Sequence, residues 1–290
     1  MDFKILPRDT KMSTVGIATS EILKVKKGKN DLTNDLLVKE EPLEIRIGYG
    51  GETKRLEFSL AVTMRTPGAD EELARGFLLS EGIIKSPTDI LSAKYCMQAK
   101  QPENTLKVEL KNDLAFDPDK FKRNFYSTSS CGVCGKAALE ALNYEIPQSN
   151  RTPLSVSQDV IHSLTNKLTA HQNTFKYTGG LHAAALFDLE GNLLMLREDI
   201  GRHNALDKII GVSTLNQIDL SDKILWLSGR LGFEMIQKSA MVGIRIIVAL
   251  GAPSSLAVDL CLQQNITLIG FLKKDTFNIY SGKENVILNS

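Results

Sequence analysis

The feature that most restricts how this chain can fold is a rhythm in its last third. Short runs made almost wholly of apolar residues alternate with amphipathic stretches. Ile224–Leu227, Ile244–Leu250 and Ile266–Phe271 are such runs. A strand that is apolar at nearly every position has no face to offer water, so it must be covered on both sides, as in a parallel sheet wrapped by helices. The intervening segments, near Asn204–Ile210, Gly232–Val242 and Ser254–Gln264, have the length and spacing of those helices. Upstream, Leu181–Phe187 and Leu193–Leu196 flank the turn Asp188-Leu189-Glu190-Gly191 and read as a hairpin. Before them Ile161, Leu164 and Leu168 recur at helical spacing, behind Ser155-Val156-Ser157-Gln158, which has the form of a capping box. The order α-β-β-α-β-α-β-α-β predicts an α/β fold over residues 137–290: three layers around a mixed sheet, an antiparallel hairpin followed by parallel strands.

The first half has a different texture. Leu43, Ile45 and Ile47 alternate with Glu44 and Arg46, the turn Tyr49-Gly50-Gly51-Glu52 follows, and alternation resumes at Leu56, Phe58 and Leu60. After Pro67-Gly68, residues 70–82 read as a helix with Leu73, Phe77 and Leu78 on one face, and Thr105–Leu110 as a further strand. Residues 41–125 are therefore expected to be a smaller α+β domain. Residues 1–40, with Lys24, Lys26, Lys27 and Lys29 close together, are expected to be a solvated tail.

Composition removes several function classes. A net charge of +1 lacks the cationic excess of a general nucleic-acid binder. No run approaches the roughly 20 apolar residues of a membrane span. The N-terminal stretch is broken by charges and Pro7 and lacks the apolar centre of a secretory signal, so the expected location is the cytoplasm.

The four cysteines are Cys96, Cys131, Cys134 and Cys261. The first and last lie among apolar neighbours, where a cysteine is usually a small core filler. Cys131 and Cys134 lie within Tyr126-Ser127-Thr128-Ser129-Ser130-Cys131-Gly132-Val133-Cys134-Gly135-Lys136, a run whose composition predicts a mobile loop over 126–136 leading into a helix near Lys136–Asn143. A thiol beside a lysine and a helix N-terminus has its thiolate stabilised and its reactivity raised. Sulfur or redox chemistry competes there with a zinc site, for which matching ligands at the other cysteines are lacking, and with no role at all.

A second signal is a set of polar, Gly-rich turns where strands meet helices. They are Thr178-Gly179-Gly180-Leu181-His182, Arg197-Glu198-Asp199-Ile200-Gly201-Arg202-His203-Asn204, Ser228-Gly229-Arg230-Leu231-Gly232 and Gly251-Ala252-Pro253-Ser254-Ser255. Each alone is ordinary connection chemistry. Together on one sheet edge they suit a phosphorylated ligand, with free backbone N–H groups at helix starts and Arg202, Arg230, His203 and the serines as further donors. Of the histidines, His162 and His171 read as surface residues, His182 as a buried or ligand-facing strand residue, and His203 as the best site candidate. Glu198, Asp199 and Asp207 could do acid–base work, though helix capping explains Asp199 equally well.

These segments, in this order, closely resemble the FdhD family of formate dehydrogenase accessory sulfurtransferases; the similarity runs on to Gly270-Phe271-Leu272 and covers most of residues 40–285. The resemblance implies that the first cysteine of the Cys-Gly-x-Cys-Gly motif, here Cys131, takes sulfur as a persulfide from a cysteine desulfurase, with Cys134 as the second cysteine. It implies delivery to the bis(molybdopterin guanine dinucleotide) molybdenum cofactor, bound as a substrate and destined for apo formate dehydrogenase. It implies a C-terminal domain of cytidine-deaminase-like fold and a homodimer. Cofactor contact is implied along Phe271-Leu272-Lys273-Lys274-Asp275-Thr276, and the site is expected to include Gly179, Gly180, His182, Asp199, Arg202, His203, Asn204, Ser228, Gly229 and Arg230. No resident metal is expected, because the His-x-Glu and Pro-Cys-x-x-Cys of zinc deaminases are missing.

Overall fold

The computed structural model describes residues 16–112, 114–121, 146, 153–169 and 180–289. Two larger sheets organise these residues. The first has the order β4-β3-β6-β5, from β3 (Glu41–Gly50), β4 (Arg55–Arg65), β5 (Ile90–Tyr95) and β6 (Thr105–Leu110). The second has the order β13-β12-β11-β10-β8-β9, from β8 (His182–Phe187), β9 (Leu193–Asp199), β10 (Ile224–Leu227), β11 (Ile246–Ala249), β12 (Thr267–Gly270) and β13 (Asn278–Ser281). In the second sheet β10, β11 and β12 run parallel, whereas β8–β9, β8–β10 and β12–β13 are antiparallel. The mixed sheet foreseen from the apolar runs is present.

Alternation across this sheet explains those runs. Ala184, Leu186, Leu225, Leu227, Ile247, Ala249 and Leu268 face one hydrophobic cluster; Ala183, Ala185, Phe187, Ile224, Trp226, Ile246, Val248 and Ile269 face another. The second cluster is closed by α2 (Gln158–Thr169) through Ile161, Leu164 and Leu168. The first is closed by α3 (Arg202–Leu215), α4 (Phe233–Met241) and α5 (Ser255–Gln264).

The same cluster continues into the first sheet through Leu43, Ile45, Ile47, Leu106 and Val108. The bridge is α1 (Asp70–Ser80), which lies against both α3 and the first sheet. The α1–α3 crossing is close because glycine stands on both helices. A Cβ on Gly76 would sit 1.8 Å from the Asp207 carbonyl oxygen, and one on Gly211 would sit 1.8 Å from that of Glu72. Beside the crossing, the Lys238 ammonium bonds Asp207 Oδ2 (3.0 Å), Glu81 Oε1 (2.7 Å) and Ser80 Oγ (2.9 Å) in the interior. Burial alone would lower the Lys238 pKa; the Asp207 and Glu81 carboxylates more than offset that and hold it raised. Both Asp207 carboxylate oxygens are committed to Lys238, so the acid–base role considered for this residue has no support in the fold.

Several expectations are corrected. Residues read as a tail contain a hairpin of β1 (Ile17–Lys26) and β2 (Lys29–Val38), exposed along most of its length. The helix start assigned to Ser155 belongs to Ser157: Val156–Ser157 forms β7, paired in parallel with β14 (Val286–Ile287), and Ser157 Oγ accepts from the Val160 N–H at 3.3 Å. His162 is not a free surface residue, since its partly buried ring lies 4.9 Å from that of Phe277. Cys261 is buried as foreseen, and burial pushes its thiol up to about 12; Cys96 is only half-buried at the end of β5.

Candidate functional site

Strand directions decide where the Gly-rich turns meet. The carboxyl ends of β9, β10, β11 and β12 share one edge of the second sheet with the amino end of the antiparallel β8, where His182 pairs with Asp199. The turns there touch through backbone. A Cβ on Gly251 would lie 2.5 Å from the Gly229 carbonyl oxygen, so only glycine lets the turns after β10 and β11 approach so closely. Leu231 N–H donates to Ala252 O (3.0 Å), Ser254 N–H to Leu231 O (2.9 Å) and Phe271 N–H to Gly251 O (3.2 Å). The platform is therefore stitched across three successive strand ends.

On it stand His182, Arg202, His203, Ser228, Gly229, Arg230 and Glu234. A Cβ at Gly229 would lie 3.3 Å from His182 Nδ1 and 3.5 Å from Arg202 Cδ, which puts these three residues side by side. Ser228 Oγ accepts from the Ala183 N–H at 2.9 Å and lies 3.5 Å from His182 Nδ1. Burial, followed by the charges of Arg202 and His203, lowers the His182 pKa, so its imidazole is neutral at neutral pH. His203 Nε2 bonds Glu234 Oε2 at 3.1 Å, joining the first turns of α3 and α4 and lowering the Glu234 pKa. Both helices begin at glycines, Gly201 and Gly232, that supply no side-chain cap. Their first-turn N–H groups can therefore serve an anionic ligand. Arg202 Nε is shielded from solvent and has no hydrogen-bond partner among the described residues. Arg230 and Gly180 are exposed beside it.

Other expected site residues have different work. Asp199 is fully buried; its carboxylate pairs with Lys208 Nζ (2.6 Å) and accepts from Thr66 N–H (3.2 Å), Gly201 N–H (2.9 Å) and Asn204 Nδ2 (3.1 Å). Asn204 also donates to Met64 O (2.8 Å) and accepts from Thr63 Oγ1 (3.1 Å). Asp199 and Asn204 thus anchor the turn before α3 to the end of β4, and their side chains face the interior. Within 271–276, Leu272 is buried in the second cluster, whereas Phe271, Lys273, Lys274, Asp275 and Thr276 are exposed beside the platform, in a turn closed by Lys273 N–H to Thr276 O (2.8 Å). Cys131, Cys134, Gly179, His171 and the helix expected at 136–143 lie outside the described residues. Sequence reasoning missed Glu234 and Thr66. Glu234 and His203 sit on different helices and Thr66 is 133 positions from Asp199, so no local pattern links them. Among the described residues no group of three or more His, Cys, Asp or Glu converges as a metal site.

A model of the FdhD/NarQ family matches residues 38–287. The chain belongs to this family. It is 41% identical over 277 residues to a sulfur carrier protein FdhD of Streptomyces coelicolor, covering 93% of this chain and 95% of that one. It is 46% identical to the protein so named in Nocardia farcinica, over 86% of this chain and 87% of the other. It is 44% identical to the protein so named in Picrophilus torridus, over 88% of this chain and 93% of the other. Among solved structures, a candidate formate dehydrogenase accessory protein from Desulfotalea psychrophila superposes with a TM-score of 0.72 at 22% identity, over 94% of this chain and all of that one. The FdhD/NarQ fold is therefore shared along nearly the whole chain.

Proposed function

We propose that this protein is a cytoplasmic sulfur carrier, acting as a homodimer, that moves persulfide sulfur from a cysteine desulfurase to the bis(molybdopterin guanine dinucleotide) molybdenum cofactor before that cofactor enters apo formate dehydrogenase. The observation that carries this reading is near full-length similarity to proteins named sulfur carriers, in a chain that has Cys131-Gly132-Val133-Cys134-Gly135. The platform of glycine turns, uncapped helix starts and Arg202 supports the substrate half, because nucleotide phosphates need such donors.

In the first step the Cys131 thiolate attacks the outer sulfur of the desulfurase persulfide. The S–S bond there breaks, the desulfurase cysteine leaves as thiolate, and Cys131 holds the sulfur as a persulfide. In the second, the Cys134 thiolate attacks the inner Cys131 sulfur. A Cys131–Cys134 disulfide forms and hydrosulfide leaves toward the bound cofactor, the two electrons coming from the thiol pair. A cellular dithiol then reduces the disulfide. Arg202, Arg230 and the exposed Lys273 and Lys274 bind and orient the anionic substrate, and neutral His182 is available to take a proton at the platform.

Intact-mass measurement after incubation with desulfurase and cysteine tests the assignment. Native protein should gain one sulfur atom, removable by dithiothreitol, and Cys131→Ala should gain none while still binding guanosine diphosphate. Sulfur gain that survives Cys131→Ala removes the carrier role from this residue; a native protein that binds the nucleotide but never gains sulfur is a cofactor chaperone instead.

A further inference from the structure

The β1–β2 hairpin is a feature the proposed chemistry does not use. Its two ten-residue strands pair from Ile17↔Val38 to Lys26↔Lys29, yet none of its residues joins either hydrophobic cluster formed among the described residues. Two-stranded ribbons are marginal in water without a surface to pack on. Its outer half is two-faced. Leu23 and Leu32 are cross-strand partners with Val25 on the same face, and they are 57%, 72% and 71% exposed. The opposite face and the tip carry exposed Lys24, Lys26, Lys27 and Lys29, with Asp31 the one carboxylate among them. The base sits next to the candidate site. Gly16 lies against Thr66, at 3.0 Å from a Cβ position to Thr66 Cγ2, and Thr66 Oγ1 accepts the Ile200 N–H just before α3.

We infer that this hairpin is a docking arm for a protein presenting an acidic rim around an apolar groove, and that on the sulfur route, whose reading it rests on, this protein is the persulfide donor. Charge points that way: at the tip Lys24, Lys26 and Lys27 steer toward an acidic surface and oppose a symmetric contact with an identical hairpin, while Lys29 pairs with Asp31 at 3.1 Å and Glu21 and Asp35 lie nearer the base. Size points the same way. One face of such a ribbon covers about 300 Å² at ~3.3 Å per residue and ~10 Å width. That is well below the ~800 Å² per partner of a lasting interface, and it suits an encounter that must release after each handover.

The test measures binding of full-length protein to cysteine desulfurase, with Lys24→Glu/Lys26→Glu/Lys27→Glu/Lys29→Glu and Leu23→Ser/Val25→Ser/Leu32→Ser as variants. All are exposed positions, so the melting temperature should hold, and amide exchange within residues 17–38 of each free variant should match that of native protein, showing that the ribbon itself still pairs. Each variant should weaken binding by roughly tenfold or more, native binding should weaken with salt, and added desulfurase should slow amide exchange within residues 17–38. Sulfur loading from glutathione persulfide, which needs no docking, should be unchanged. Unaltered affinity in both variants overturns the inference. So does a loss confined to apo formate dehydrogenase, to anionic vesicles or to self-association. A native protein that gains sulfur from neither donor sinks the carrier reading, while the binding and exchange measurements still decide the arm.

Discussion

At the scale of single residues, the carboxylate of Asp199 shows how much of a site is support. It is fully buried and holds Lys208, Thr66, Gly201 and Asn204 together, so removing its counter-charge strands a charge in the interior. Lys208→Met should therefore cost about 3–5 kcal/mol, read from urea unfolding; a loss under about 1 kcal/mol, the scale of a surface pair, would show that the pair carries no more than that. Tyr95 offers a pH handle. Tyr95 as a whole is 45% exposed, but its hydroxyl donates to Asp70 Oδ2 at 2.9 Å, and desolvation of that end, followed by the Asp70 carboxylate, raises its pKa to about 12 from an ordinary 10.0. The folded state then binds more protons than the unfolded state between those values. This contribution is fully present below pH 10 and falls away as pH rises to about 12. Tyr95→Phe should flatten the decline of melting temperature with pH in that window. Neither role could be read locally. Asp199 sits where a strand meets a helix, and in sequence such an aspartate looks the same whether it faces ligand or core.

At the scale of elements, the strands legible in advance were those whose pattern follows from burial alone. Thr105–Leu110 and Ile224–Leu227 have the bounds their alternation or unbroken apolarity implied. Helix α3 runs to Leu215, well past the expected Ile210, because it is buried from Asn204 to Ser213 between the second sheet and α1 and so lacks the one-sided stripe that marks a surface helix. β1 and β2 escaped notice because their Lys- and Asn-rich strands face solvent, and β13 because it follows Lys273-Lys274-Asp275. The α1–α3 crossing makes a sharp prediction. Gly76→Ala drives a methyl into the Asp207 carbonyl and should destabilise by about 3 kcal/mol or more, whereas Gly51→Ala, with nothing among the described residues within 4 Å of its Cβ position, should be near neutral. Equal unfolding midpoints for the two would refute the backbone contact.

At the scale of the whole molecule, one cluster runs from Leu43 in the first sheet to Leu268 in the second. Two units of different texture are visible in the sequence; their common interior is not, because it rests on contacts between distant helices. Unfolding should therefore be a single event. The lone tryptophan, Trp226, is buried in β10 and reports the second sheet by fluorescence, while far-ultraviolet dichroism reports both sheets. Their transitions in urea should coincide; a separate dichroism step with tryptophan silent would mean the first sheet melts alone. The clasp at Thr66 gives this unity a consequence for ligand handling. Its N–H and side-chain oxygen hold Asp199 and Ile200, and its carbonyl holds Lys208, so the turn bearing Arg202 and His203 is suspended from the opposite half of the protein. The ligand's cradle is thus only as firm as this tether, and losing the Thr66 hydroxyl would slacken it without altering any residue that meets the ligand.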